Sequence, residues 1–163
     1  MNFRVGLGQD SHKFSTDQKR KLFLGGFEVP NEIGLEGNSD ADVVIHAICR
    51  ALEQAIDGDS FSVYADEMSK DGINDSKKYL KKAVEHVKIQ NYKINNIGIS
   101  IEANKPNISS IAKAMKQKLA SVMEIDADKI GIGATSGEKL TAFGRGEGIQ
   151  VFAIVTVVKN EKD

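Results

Sequence analysis

Phe3-Arg4-Val5-Gly6-Leu7-Gly8-Gln9-Asp10-Ser11-His12 opens the reading of the chain. Phe3, Val5 and Leu7 alternate with Arg4, Gly6 and Gly8, the period of a strand, which predicts a first strand over Phe3–Gln9. On an extended chain, side chains two apart point to the same side, so Asp10 and His12 project together. A carboxylate oxygen beside an imidazole nitrogen is half of a metal site. The strand therefore leads straight into chemistry, and the elements around it are expected to complete that site.

Working outward, Lys13–Arg20 is polar and reads as a loop, and Lys21–Val29 as a second strand bent at Gly25-Gly26. Pro30–Asn38 is a loop rich in Gly and Glu. Ser39 or Asp40 caps a helix running to about Ile56, with Val44, Ile48, Ala51 and Ala55 as its apolar stripe and His46 off that stripe. Residues 60–74 show no clear period and read as a mobile loop. Asp75 or Ser76 caps a second helix that carries Tyr79, Leu80, Ala83, Val84 and Val87 on one face and lysines on its solvated face. Ile97–Glu102 alternates as a third strand, and Ala103–Ser109 turns around Pro106. Ile108, Ile111, Ala112, Met115, Leu119 and Val122 form the stripe of a third helix. Lys129–Ala134 returns as a strand, Thr135–Glu147 is a Gly- and Ser/Thr-rich loop, and Gly148–Lys159 is a last strand. Both sides of that strand are apolar, which predicts cover on both faces. The sum is one α/β (α+β) domain over residues 1–163: a mixed sheet of about four to five strands with helices packed on one face.

Bulk properties narrow the function. Apolar residues make up 40% and charged residues 28% of 163, and the net charge is −1, so electrostatics favour neither nucleic acid nor a membrane surface. No apolar run approaches the ~18 residues of a membrane span, and residues 1–20 lack the apolar segment of a signal peptide. One cysteine, Cys49, excludes an intrachain disulfide and fits a reducing, cytoplasmic setting.

Three constellations carry chemistry. Asp10, His12 and His46 offer one carboxylate and two imidazoles, a donor set for Zn²⁺ or another first-row ion with a position left for substrate. Cys49, one turn from His46, is either a soft fourth ligand or a buried core thiol, and the thiol is preferred because a closed site leaves no room for substrate. His86 reads as a surface histidine. The second constellation, Gly133-Ala134-Thr135-Ser136-Gly137-Glu138-Lys139, offers backbone N–H groups and hydroxyls of the kind that hold phosphate, without the Walker spacing. The third, Gly144-Arg145-Gly146-Glu147-Gly148, displays two charges on tight backbone, as a turn, an anion site or a subunit contact. Acidic residues Asp40, Asp42, Asp57, Asp59, Asp66 and Glu67 gather around the first helix and are expected either to bind substrate hydroxyls or Mg²⁺, or to serve as helix-end charges.

Gly8-Gln9-Asp10-Ser11-His12, Asn38-Ser39-Asp40-Ala41-Asp42-Val43 with His46, Ala134-Thr135-Ser136-Gly137-Glu138-Lys139-Leu140, and Phe143-Gly144-Arg145-Gly146-Glu147-Gly148-Ile149 occur in this order. Together they resemble the 2-C-methyl-D-erythritol 2,4-cyclodiphosphate synthase family of the non-mevalonate isoprenoid pathway, from about residue 3 to residue 158. The resemblance implies a homotrimeric lyase with active sites between neighbouring subunits. It implies Zn²⁺ (or Mn²⁺) on Asp10, His12 and His46, and Mg²⁺ with the diphosphate of a cytidine diphosphate substrate. It implies catalytic positions at Asn38 and Ser136. Ser11, Asn38 and Ser39, beside the metal ligands, are implied to bind substrate; Asp59, Ser60, Phe61, Tyr64, Ala65, Asp66, Glu67 and Met68 fall where the methylerythritol is held. Ala103, Asn104, Lys105, Pro106, Asn107, Ile108 and Ser109 fall where cytosine is enclosed. Thr135, Ser136 and Gly137 match phosphate-binding positions, Glu138 the ribose contact, and Ala142 and Arg145 further lining positions. It also implies a place for an isoprenoid diphosphate on the trimer axis.

The chain departs from that pattern at identifiable points. Asn38 stands where the family often has His, and a neutral amide donates without adding charge. Asn107 stands in place of a Lys after the proline, and Phe61 in place of a Gly. Two other functions use the same residues: a metal-dependent phosphatase or pyrophosphatase, told apart by release of inorganic phosphate, and a non-catalytic zinc-stabilised trimer that binds isoprenoid diphosphate, told apart by the lack of CMP release.

Overall fold

The computed structural model describes residues 2–160. Six strands and four α-helices follow in the order β1 (Phe3–Lys13), β2 (Lys21–Leu24), β3 (Phe27–Ile33), α1 (Val43–Ile56), α2 (Phe61–Lys70), α3 (Ser76–Ile89), β4 (Tyr92–Glu102), α4 (Ile108–Met123), β5 (Ile130–Thr135) and β6 (Gly148–Lys159). The main sheet has the order β1-β6-β4-β5, and β2-β3 form a separate hairpin. β1 and β4 both run antiparallel to β6, whereas β4 and β5 are parallel, so the sheet is mixed. The β4-to-β5 crossover is α4, as a parallel connection requires.

Three expectations change. Lys21–Val29 is not one bent strand: Gly25 and Gly26 have φ of 62° and 75°, and two left-handed residues in succession reverse the chain into a hairpin. Pro30 continues in β3. Residues 60–74 are not a loop, since they contain α2, whose Phe61, Tyr64 and Ala65 are buried. The third strand begins at Tyr92 rather than Ile97, with a bulge between Ile94 and Asn96.

One face of the main sheet carries the core. Ile97, Ile99 and Ile101 of β4 pair with Val155, Ala153 and Val151 of β6, and all are buried beneath the helices. α1 lies directly on β1 because Gly6 and Gly8 are there: an added Cβ would sit 1.9 Å from the Ala51 carbonyl oxygen at Gly6 and 2.0 Å from that of Ala47 at Gly8. α1 also packs on β6 and α3. The expectation that both faces of β6 are covered does not hold within one chain. On the far face Phe3 (57% exposed), Leu7 (53%) and Ile154 (50%) stand open with Val5 and Phe152, and Leu7 faces Ile154 across the β1–β6 ladder.

Candidate metal centre and substrate cavities

The strand alternation of β1 and the first turn of α1 meet at one point. Asp10 Oδ2 lies 3.1 Å from His12 Nε2 and 3.1 Å from His46 Nδ1. These donor atoms all lie within 4.8 Å of one another and form the metal-competent group found among the described residues. Burial would raise the Asp10 pKa, but hydrogen bonds and charge from His12 and His46 prevail and hold its carboxyl well below the usual carboxylate range. The carboxylate is thus ionised and ready as a ligand.

His46 is set from behind. Its Nε2 is 2.9 Å from Ser76 Oγ, Ser76 Oγ donates to Asp40 Oδ1, and Ser76 N donates to Asp40 Oδ2 at 3.0 Å. With Nε2–H donated to Ser76, Nδ1 is the nitrogen turned to the site, donating to Asp10 in the metal-free protein and free to give up that proton when a metal binds. The start of α1 is fixed by the fully buried Asp42, whose side chain accepts from Ile45 N (3.0 Å), Gly25 N (2.9 Å) and Gly26 N (2.6 Å). One oxygen and two nitrogens at a single point, with a second layer orienting the ring, are the donor chemistry of a Zn²⁺-type site, so this group can hold a metal ion. Cys49 is not a fourth ligand, since it is buried, and burial pushes its thiol pKa up and away from thiolate.

The site residues expected from sequence fall into distinct cavities. The metal cavity, about 170 Å³, is lined by Asp10 and His12 from β1, Asn38 and Ser39 from the loop before α1, His46 from α1, and Phe61, Ala65 and Asp66 from α2. Asp59 and Ser60 line an adjoining cavity that shares Arg50 and Phe61 with it. Ala103, Asn104, Pro106, Asn107, Ile108, Ser109, Thr135 and Ser136 line a third, and no residue lines both this cavity and the metal one. There the Ser136 hydroxyl accepts from Glu138 N and Thr135 Oγ1 from Gly137 N, while Glu138 and Lys139 hold φ of 47° and 62°. Two successive non-glycine residues in left-handed backbone are a strained arrangement that the hydroxyls of Thr135 and Ser136 help to hold.

A profile of the YgbB family matches residues 3–158. The chain belongs to the YgbB family. It is 43% identical over 159 residues to the 2-C-methyl-D-erythritol 2,4-cyclodiphosphate synthase of Chlamydia muridarum, covering 96% of this chain and 89% of that one. Among solved structures it resembles IspF of Plasmodium falciparum in complex with CDP (27% identity, TM-score 0.86, 98% of both chains). It also resembles the bifunctional IspDF of Campylobacter jejuni (30% identity, TM-score 0.90), of which it covers 43%.

Several expected site positions of this YgbB-family chain lie outside the cavities. Ser11 is exposed and, by strand alternation, sits on the face of β1 opposite Asp10 and His12. Glu67 is exposed and Met68 packs against the core. Tyr64 is buried beside Cys49, Glu53 and His86. Lys105 is exposed with its Nζ 5.3 Å above the Phe14 ring, whereas Asn107, which does line the third cavity, also caps α4 by accepting from Ser110 N at 3.3 Å. Gly137, Glu138, Ala142 and Arg145 lie on the loop after β5, where Arg145 pairs with Glu147 at 2.8 Å. His86 is not a free surface histidine, because its Nδ1 meets the buried Glu53 at 2.8 Å. The sequence reading missed Ser76 as a partner of His46, and it missed Arg50, which lies one turn beyond His46 on α1 and reaches the same cavity.

Proposed function

We propose that this protein converts 4-diphosphocytidyl-2-C-methyl-D-erythritol 2-phosphate to 2-C-methyl-D-erythritol 2,4-cyclodiphosphate with release of CMP. The observation that carries the reading is the convergence of Asp10, His12 and His46 in a chain 43% identical to a synthase of that name. In the reaction, an oxygen of the 2-phosphate attacks the β-phosphorus, the bond from that phosphorus to the oxygen shared with the α-phosphate breaks, and CMP leaves with that oxygen. No protein nucleophile is required; positioning and charge neutralisation suffice.

Asp10, His12 and His46 would hold Zn²⁺, or a similar ion such as Mn²⁺. When bound, that ion and the Mg²⁺ that accompanies the diphosphate supply Lewis-acid neutralisation of its charge. The chain's own groups bind and orient. Asn38 and Ser39 donate to phosphate oxygens at the mouth of the metal cavity. Asp59, in the adjoining cavity, accepts from the polyol hydroxyls. Ala103–Ser109 enclose the base, Thr135 and Ser136 donate to the phosphates, and Glu138 accepts from the ribose. Phe61 of α2, 5.1 Å from the His46 ring, forms an apolar wall of the metal cavity.

The metal and nucleoside cavities of one chain share no lining residue, which fits a site completed by a neighbouring subunit. We therefore propose a homotrimer that buries the open apolar face of β1 and β6, since an antiparallel sheet that leaves Phe3, Leu7 and Ile154 in water has a partner to bury. Arg145, exposed on its loop, is the cation we assign to an isoprenoid diphosphate on the trimer axis. No helix among the described residues is long and apolar enough to cross a membrane, and the single buried cysteine fits a cytoplasmic setting.

The test is incubation with the substrate, Zn²⁺ and Mg²⁺, with CMP and inorganic phosphate followed separately. CMP without inorganic phosphate, abolished by chelation, is expected. Inorganic phosphate would support the phosphatase reading instead, and retained metal with no CMP release the binding-protein reading.

A further inference from the structure

Arg50 lines both the metal cavity and the one beside Asp59. It follows His46 by one turn of α1, so both side chains leave the same helix face. Its Nη2 lies 3.6 Å from Asp10 Oδ1, while the imidazoles face the other carboxylate oxygen, Oδ2. The guanidinium carbon lies 5.2 Å from the centre of the Phe61 ring, which holds the planar group in place. Arg50 Nε is buried with no hydrogen-bond partner. A metal held by Asp10, His12 and His46 would leave Arg50 beside Oδ1 with donors of its fork to spare.

Charge decides what those donors are for. No other Lys or Arg lines the metal cavity or the one beside Asp59, where Asp10, Asp66, Asp59 and Glu53 supply carboxylates; the exposed Lys70 lines an outer hollow that shares Asn38, Asp66 and Ser69 with the metal cavity. The substrate class brings two anionic groups here, a diphosphate and a phosphate monoester. The metal meets the diphosphate. The monoester, close to dianionic at neutral pH, would otherwise enter among carboxylates, with only the exposed Lys70 of the outer hollow to receive it.

We infer that Arg50 binds the phosphate monoester of the substrate and aims its attacking oxygen at the diphosphate beside Asp10. A guanidinium offers two parallel N–H donors to one phosphate, which fixes orientation as well as charge. This inference rests on the cyclising reading of the site.

The full-length zinc-loaded protein tests it, with Mg²⁺ present. Arg50→Gln is expected to lower kcat/KM for CMP release on the order of 100-fold, and Arg50→Lys to restore part of that loss. In parallel, the dissociation constant is measured for the cytidine diphosphate-linked polyol that lacks the monoester. That constant and the zinc content are expected to change less than about twofold in both variants, because neither depends on the group Arg50 binds. Equal weakening of the monoester-free analogue, or loss of zinc, would show that Arg50 only supports Asp10 and would overturn the inference, as would full activity in Arg50→Gln. A wild-type protein that releases no CMP sinks the cyclising reading itself, an outcome visible before any substitution.

Discussion

Substituting Gly8 by alanine should disable the metal centre without touching a ligand. The added Cβ would lie 2.0 Å from the Ala47 carbonyl oxygen and 2.6 Å from Ala51 N, both backbone atoms that no rotamer change can remove. To bring the shorter contact to 3.0 Å, α1 must retreat from β1 by about 1 Å. His46 rides on that helix beside Ala47, and Asp10 follows Gly8 by two residues on the strand. Their donor atoms are 3.1 Å apart, and metal coordination tolerates errors of only about 0.2 Å. The shift is several times that tolerance. Overpacking should also cost roughly 1–3 kcal/mol of stability. Zinc content after dialysis reads the first effect, and urea unfolding of metal-free protein reads the second. Gly131→Ala is the control, because its Cβ would meet only Ile97 O at 3.9 Å. A Gly8→Ala protein that keeps its zinc and its unfolding midpoint would refute the claim that close β1–α1 packing sets the site.

Further outcomes follow from the same geometry. Asp42→Ala strips a fully buried carboxylate from three backbone N–H groups, and should destabilise the protein by about 2–4 kcal/mol in denaturant unfolding, with zinc affinity reduced because the lost cap on Ile45 N frees the first turn of the helix that carries His46. In metal-free protein, Asp10 has a folded pKa below its unfolded value, so its stabilisation is complete above about pH 4 and is lost as pH falls toward the folded value. The stability gap between wild type and Asp10→Asn should therefore stay level from pH 6 to about pH 5 and begin to narrow as unfolding is repeated down to pH 3; a gap unchanged at pH 3 would contradict the ion pairing. Ile154→Asp places a charge opposite Leu7 on the open sheet face and should turn a trimer into monomers that still bind zinc, as read by sedimentation. An unchanged assembly would move the interface elsewhere.

The sequence was most legible where local period and chemistry coincide. The β1 alternation placed Asp10 and His12 on one side, and the α1 stripe put His46 where a helix start could present it. α2 was readable but passed over: Phe61, Tyr64, Ala65 and Met68 stand at helical spacing, masked by the polar residues between them. Gly25-Gly26 signalled a reversal, yet a paired glycine also fits a bulge, and only the pairing of β2 with β3 decides. Other features have no local signal. Ser76 meets His46 from 30 residues away, and Glu53 meets His86 across 33. Asp42 looked like one of several site acids, but its partners Gly25 and Gly26 lie 17 and 16 residues upstream, and burial makes it structural. Arg50 was within reach, since a residue four after a ligand on a helix shares its face.

The central claim is that the substrate's own phosphate, and not water, attacks the β-phosphorus. The direct measurement is the reaction in water enriched in oxygen-18, with both products examined by mass spectrometry. Ring closure draws every oxygen from the substrate, so CMP and the cyclic diphosphate should carry none of the label. Labelled oxygen in a linear phosphate product, formed along with CMP, would mean that this site hydrolyses its substrate and does not cyclise it.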